Sequence, residues 1–159
     1  MASSRETKRR EVGVSCVEIA AMCHATEECT RVEYSMKILL PEDLRFKVTP
    51  TVKQEKGYYG NPIVVMTIKV EDPVLASSIV KYVASRLDEG EKRILKATSG
   101  LRYDPSERRF TIRFSKQSLL QDKLQVVDAD DVVKFTIYLK NIKKQREIYE
   151  FLKDTGLVA

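Results

Sequence analysis

Five segments of the chain carry the residue pattern of β-strands. Four of them show the two-residue period of a strand, and the fifth is a run rich in β-branched residues. The segment 14–24 has apolar residues in both sets of alternating positions, so we expect it to lie in the centre of a sheet. A short stretch at 101–103 is expected to pair with the fourth strand across a turn at 104–107. The predicted strands are 14–24, 46–54, 63–70, 109–114 and 132–140.

Apolar residues at three- and four-residue steps predict helices between these strands. Thr26 is a suitable N-cap for the first helix, and Pro41 marks its end. Asp72, followed by a proline, begins the second helix, which Gly90 is expected to stop. The predicted helices lie between Thr26 and Pro41, between Asp72 and Gly90, over 91–96, and over 141–155 with Gly156 as the stop.

The order of these elements distinguishes between fold classes. It lacks the strict strand–helix alternation of a doubly wound fold. It predicts an α+β fold, with an antiparallel or mixed sheet and helices packed on one face. Residues 1–13 are polar, have no period and include several Arg and Lys, so we expect a disordered basic arm there. A single domain is then expected over residues 14–159.

Charge and cysteine content narrow the function classes. The 159 residues include 28 Lys and Arg against 23 Asp and Glu, and the net charge of +5 favours polyanionic partners. The three cysteines, Cys16, Cys23 and Cys29, form no Cys-x-x-Cys pair, so we expect free buried thiols and no zinc site. We find neither the apolar core of a signal peptide nor a membrane-spanning run, and therefore expect a cytoplasmic protein without a membrane partner.

The polar half of each alternating strand is expected on the sheet face that the helices leave open. These positions hold cations, hydroxyls and a tyrosine and almost no acidic residue. Such a face can neutralise phosphates and stack on the bases of single-stranded or irregular RNA. The alternative is a solvated face whose cations only prevent aggregation. The predicted RNA-binding residues on this face are Lys47, Lys53, Arg109, Arg113, Lys134, Tyr138 and Lys140.

The segment from Lys56 to Pro62, with the sequence KGYYGNP, is the predicted hairpin loop between the second and third strands. Tyr58 and Tyr59 can stack on bases beside Lys56 and Asn61, which makes these four residues predicted RNA contacts. The alternative is that the tyrosines fold back onto the core. Lys116, in the connection after the fourth strand, completes the predicted RNA-binding set.

Catalytic chemistry has little support in the sequence. His24 is the only histidine and has no partner at ligand spacing, so we expect it to be structural. Asp128, Asp130 and Asp131 lack the glycine and distant glutamate of a calcium loop and are expected to form a turn. We find no nucleophile elbow, phosphate loop, dinucleotide turn or zinc-protease motif. The sequence therefore predicts a protein that is not an enzyme and has no cofactor or metal.

Four motifs resemble those of an archaeal family of small RNA-binding proteins described as exosome-associated. They are HATE at 24–27, GYYGNPI at 57–63, FSKQ at 114–117 and DVVK at 131–134, and the match in order and spacing covers 14–141. The family's loop often has histidine where Tyr58 or Tyr59 stands here. The resemblance implies a fold similar to the fifth large-subunit ribosomal protein, RNA binding, and a link to RNA processing or degradation.

Three functions remain as hypotheses. The leading one is a non-catalytic RNA-binding accessory of RNA processing or degradation, with RNA as its partner and the exosome or another ribonucleoprotein as a further candidate. The second is a protein-interaction adaptor on a larger ribonucleoprotein. The third is a metal-dependent nuclease that uses His24 or the aspartates near residue 130. The dependence of RNA affinity on salt distinguishes the first two, because each phosphate contact adds to it.

Overall fold

The chain forms a six-stranded sheet in a computed structural model that describes residues 11–57 and 60–159. The strands are β1 (Gly13–Cys23), β2 (Thr51–Lys56), β3 (Pro62–Val70), β4 (Tyr103–Asp104), β5 (Arg109–Phe114) and β6 (Val133–Lys140). Their order is β2-β3-β1-β6-β5-β4, and each neighbouring pair is antiparallel. The segment expected in the centre of the sheet, β1, lies between β3 and β6.

Helices lie in three of the connections between the strands and after the last strand. They are α1 (Cys29–Lys37), α2 (Glu42–Arg45), α3 (Pro73–Arg86), α4 (Glu89–Arg102), α5 (Lys116–Leu120) and α6 (Gln145–Thr155). Among the described residues, no helix is long and apolar enough to cross a membrane. The α+β prediction is confirmed, with a wholly antiparallel sheet among the described strands.

The side chains on one face of the sheet form part of the hydrophobic core. On β1, Val17 and Ile19 are fully buried, and they stand opposite Ile137 and Phe135 of β6. The β5 residues in the same phase, such as Phe110, are buried as well. Each such side chain contributes about 1.5–3 kcal/mol by leaving water. Because the strand period is two, this burial fixes which residues of β5 and β6 face the other way.

The strand predicted at 46–54 begins only at Thr51, so that part of the prediction is wrong. The short helix α2 follows Pro41, and its first turn holds Glu42 and Asp43, where negative charge is favourable at a helix N-terminus. Phe46 lies in the turn after α2 and is 96% exposed. This local helical signal replaces the strand pattern that the sequence favoured there.

The predicted helix boundaries also need correction. Thr26 is not the N-cap of α1, because Glu28 holds that position. Gly90 does not stop α3, which ends at Leu87, where the backbone becomes extended. The Asp88 carboxylate accepts a hydrogen bond from the Glu91 N–H at 2.9 Å and starts α4, so Gly90 lies in the first turn of a 14-residue helix. Gly156 ends α6 as predicted, with φ of 87°.

The expectation of three free buried thiols is wrong. Cys23 and Cys29 form a disulfide that joins the end of β1 to the first residue of α1. Only Cys16 is a free thiol, and it is partly exposed. The spacing of six residues spans a tight strand-to-helix connection, so the Cα atoms come within 5.5 Å, inside the range that disulfides need.

Candidate nucleic-acid interface

The face of the sheet opposite the core carries the polar half of β5 and β6, and we call it the open face. The register of the two strands aligns Arg113 with Lys134 and Arg109 with Tyr138. Each of these four positions alternates with a fully buried neighbour, such as Ile112. The structure therefore brings four predicted residues from two strands onto one surface.

The open face is concave at this point, and we call the concavity the cationic groove. Its volume is about 530 Å³. Its floor comes from β1, β5 and β6, and one wall comes from the end of α4. The lining residues are Glu18, Ala20, Thr98, Leu101, Arg102, Asp104, Arg109, Thr111, Arg113, Asp128, Lys134, Thr136 and Tyr138. Cations and hydroxyl groups predominate among them, so the groove can hold phosphate and the polar edges of bases.

Ion pairs at the rim order two of the cations. The Arg109 guanidinium lies 3.7 Å from the Asp104 carboxylate, and its hydrogen bond to the Tyr138 hydroxyl raises the pKa of Arg109 above its ordinary value. Arg113 donates to the carbonyl of Ala129 at 3.2 Å and lies 3.9 Å from Asp130. These pairs are solvent-exposed and weak. They orient the guanidinium groups without removing them from the surface.

Arg102 is a groove residue that sequence reasoning missed. Burial lowers the pKa of Arg102 below its ordinary value; the positive charge of Arg113 acts in the same direction, and Asp128 opposes both. The sequence predicted a helix only over 91–96, with residue 102 in a hairpin strand after it. A longer reading of the helix after Asp88 is the signal that could have found it.

Acidic residues are more frequent around the groove than the sequence indicated. Glu18 comes from the centre of β1, where it stands opposite Thr136, and Asp104 and Asp128 lie at the rim. The face predicted from the sequence comprised only the strands with alternating cations, so Glu18 of β1 was not expected there. The groove is therefore a mixed surface with an excess of cations, and it does not present an unbroken positive field.

The other predicted residues are more scattered. Lys53 lies on the open face of β2, 3.7 Å from Glu55, and Lys140 is exposed in the same phase as Lys134 at the end of β6. Lys56 has the opposite phase to Lys53, so it does not share that face. Lys47 follows α2 in a turn, and its N–H bonds to the Leu44 carbonyl at 3.0 Å, so its expected place on a strand is wrong.

Two of the four predicted loop contacts lie outside the described residues. Tyr58 and Tyr59 both lie there, and the two readings of the loop, stacking platform or core element, stay predictions. Asn61 is exposed, and its backbone carbonyl accepts a hydrogen bond from the Gly57 N–H at 2.7 Å, which closes the loop.

Lys116 lies away from the groove, in a cluster that we call the Lys116 cluster (His24, Glu27, Lys116 and Asp131). Its side chain is only 11% exposed, and its ammonium group donates to the Met22 carbonyl at 2.6 Å. It also contacts Glu27 at 3.1 Å and Asp131 at 2.5 Å. The donors of this lysine are used inside the protein, which leaves little capacity for a phosphate.

A loop links this cluster to the groove, and we call it the acidic loop (Asp128–Asp131). Asp128 lines the groove, Asp130 faces Arg113, and Asp131 contacts Lys116. Burial would raise the pKa of Asp131, but the hydrogen bond and charge of Lys116, together with His24, bring that pKa below its ordinary value. The aspartates thus form the predicted turn before a strand, and two basic residues hold it in place.

The Lys116 cluster also contains three side chains of the types that ligate metal ions. The ligand atoms of His24, Glu27 and Asp131 lie within 4.8 Å of one another. Between the two carboxylates, however, the Lys116 ammonium already supplies the positive charge. His24 bonds to Asp131 at 3.2 Å, in a contact across the fold that the sequence did not predict.

Comparisons with known proteins agree with this fold. The chain is 28% identical over 138 residues to the protein MJ0213 of Methanocaldococcus jannaschii, which covers 84% of this chain and 92% of the relative. It is 26% identical over 132 residues to the RNA-binding protein PAB1135 of Pyrococcus abyssi, covering 82% and 85%.

Among solved structures, protein AF2318 of Archaeoglobus fulgidus, described as DUF54, superposes with a TM-score of 0.76 at 23% identity. The match covers 89% of this chain and 99% of that one, which shows a shared fold. A family model described as RNA binding matches residues 16–139, from β1 to the end of β6. The chain therefore belongs to that RNA-binding family.

Proposed function

We propose that the protein binds RNA through the open face, with the cationic groove at its centre, as a non-catalytic accessory of RNA processing or degradation. The observation that carries the proposal is the register of β5 and β6, which puts Arg113 beside Lys134 and Arg109 beside Tyr138. A row of cations with an aromatic ring provides phosphate neutralisation and a stacking surface together. The printed name of the Pyrococcus abyssi relative, an RNA-binding protein, supports the same function.

The test replaces Arg113 and Lys134 together by glutamate. Lys81→Glu with Lys123→Glu is the matched control, because both lysines are exposed away from the groove and the change in net charge is the same. We expect the groove variant to lose RNA affinity and the control to lose much less. Equal losses would mean that net charge alone governs binding, and the solvated-face alternative would then stand. Thermal denaturation of both variants verifies that each is folded.

The dependence of affinity on salt provides a second test. Each phosphate contact to a single strand contributes about −0.7 to the slope of log K against log salt. A protein that binds phosphates in the groove must show a steep slope. The variant in which Arg113 and Lys134 are replaced by glutamate should show a shallower slope. Truncating Tyr58 and Tyr59 separately, with affinity and melting temperature measured for each, tests the loop in the same assay.

The adaptor hypothesis has one observation in its favour. Val52, within the terminal strand β2 of the sheet, is 63% exposed, and Phe46, five residues before that strand in the sequence, is 96% exposed. Exposed apolar side chains beside a strand edge are a common basis for protein docking. An adaptor with secondary RNA contact would show weak RNA affinity and little salt dependence, which the same titration detects.

The exosome link, the likeness to the fifth large-subunit ribosomal protein and the cytoplasmic location come from the resemblance and the sequence, and they stay predictions. The nuclease hypothesis has its geometric counterpart in the Lys116 cluster. Divalent-metal-dependent RNA cleavage that is lost on His24→Ala would overturn the non-enzyme assignment.

A further inference from the structure

The last turn of α4 borders the open face on one side and forms a wall of the cationic groove. Thr98, Leu101 and Arg102 line the concavity together with residues of β5 and β6. The volume, about 530 Å³, lies in the range of ~300–1,000 Å³ typical of pockets for small molecules. A space of that size admits individual nucleotides, whereas an RNA double helix would have to rest on the rim of the groove.

The wall and the floor offer surfaces that only an unpaired base can use. Leu101 is 89% exposed at the groove, and Tyr138 contributes an aromatic ring to the floor. The bases of an A-form duplex are stacked inside it, and proteins contact its phosphates and 2′-hydroxyls. An unpaired base can instead lie against an apolar side chain and an aromatic ring.

The charged residues of the groove also favour an unpaired strand over a duplex. Arg102 and Arg113 line the same groove, together with Asp128, and two guanidinium groups can bind one phosphate or one base edge. Glu18 and Asp104 line the same groove and would repel a closely spaced row of phosphates. The groove therefore suits a flexible single strand, which can turn its bases toward the groove and place individual phosphates beside the cations.

We propose that the cationic groove binds single-stranded RNA in preference to duplex RNA, with Arg102 and Leu101 of α4 contacting the strand. This inference rests on the RNA binding proposed above and adds the class of RNA. It also assigns a contact role to a helix that the sequence analysis left outside the interface.

The experiment compares an unstructured RNA of about 12 nucleotides, a length within the usual single-strand site sizes, with the blunt duplex that it forms with its complement. We expect the wild-type protein to bind the single strand about tenfold more tightly. Arg102→Gln should lower single-strand affinity about tenfold, the loss expected for a hydrogen bond to a charged group, and change duplex affinity little. Arg93→Gln, at an exposed position of the same helix, is the matched control and should match the wild type.

Leu101→Ala keeps the test valid if the arginine variant is unstable, because an 89% exposed side chain contributes little to folding. It should weaken single-strand binding alone. Duplex binding as tight as single-strand binding, or an Arg102 variant equal to the Arg93 control, would overturn the inference while RNA binding itself stands. Failure of both RNA forms to bind at low salt would overturn the proposed function as well.

Discussion

Replacing Lys116 by methionine should destabilise the protein and leave its RNA affinity almost unchanged. Methionine keeps most of the aliphatic length and removes the ammonium group. That group donates to the Met22 carbonyl at 2.6 Å and contacts Glu27 and Asp131, which belong to two other segments of the chain. The substitution therefore removes the charge that holds the end of β1 and the acidic loop together.

The size of the loss follows from the exposure of each partner. A hydrogen bond from a charged donor contributes about 1.5–3 kcal/mol, and the largely buried bond to the Met22 carbonyl comes under this heading. Glu27 is 28% exposed and Asp131 is 54% exposed, so water can solvate both carboxylates and their ion pairs count for less. We expect a total loss of about 2 kcal/mol, or about 4–8 °C in melting temperature for a chain of this size.

The pH dependence gives this prediction a second signature. The pKa of Asp131 is lowered in the folded protein, so its interaction with Lys116 stabilises the fold above the unfolded pKa of about 3.9. That stability is lost as the pH falls through the lower folded pKa. The difference in melting temperature between wild type and Lys116→Met should therefore be full at pH 7 and shrink in strongly acidic solution.

Thermal denaturation at several pH values measures both effects, with Lys123→Met at an exposed position as the control. A Lys116→Met protein that melts within about 1 °C of the wild type at pH 7, where about 2–4 °C per kcal/mol is expected, would refute this reasoning. A tenfold loss of RNA affinity in the folded variant would refute the assignment of Lys116 to an internal role. It would return that lysine to the interface.

Three further outcomes are expected. Cys29→Ser should lower stability by about 2 kcal/mol, from loss of a short disulfide loop, and treating the wild type with reductant should lower its melting temperature to that of the variant. Gly156→Ala should cost about 1 kcal/mol in denaturant unfolding, because φ of 87° is unfavourable for a residue with a Cβ atom. His24→Ala should cost about 1 kcal/mol through the lost bond to Asp131 and abolish no RNA cleavage; a cleavage assay with divalent metal checks the second point.

The part of the proposed interface on β5 and β6 could be predicted from the sequence because a single physical rule determines which side chains share a face. In a strand with one buried face, every second residue is exposed on the other face. Burial of Ile112 and Phe135 therefore fixes the direction of Arg113 and Lys134. The rule needs no knowledge of the partner strand's position. It does not say whether the exposed face is flat or concave.

The positions of Lys47 and Arg102 could not be predicted in the same way, because each depends on a competition between local signals. The alternation around Lys47 suits a strand. The acidic residues after Pro41, however, stabilise a helical turn directly before Lys47, and the strand begins only after it. Arg102 reaches the groove only because α4 continues beyond residue 96 and through Gly100, whose cost in a helix is about 1 kcal/mol and is offset by the Asp88 cap and tertiary packing. Neither contribution can be weighed from composition alone.

The residues of the Lys116 cluster belong to the motifs of the family resemblance, but they lie away from the proposed binding surface. The motifs that carry the resemblance include Glu27, Lys116 and Asp131, and these residues meet at internal contacts that hold three segments of the fold together. The cations of β5 and the wall of α4 lie at the other end of the acidic loop. A match in such motifs is therefore strong grounds for a common fold, whereas the proposed RNA binding depends on side chains that the motifs mostly do not contain. A variant with the cluster intact and the groove cations Arg102 and Arg113 removed should fold normally and lose salt-dependent RNA binding.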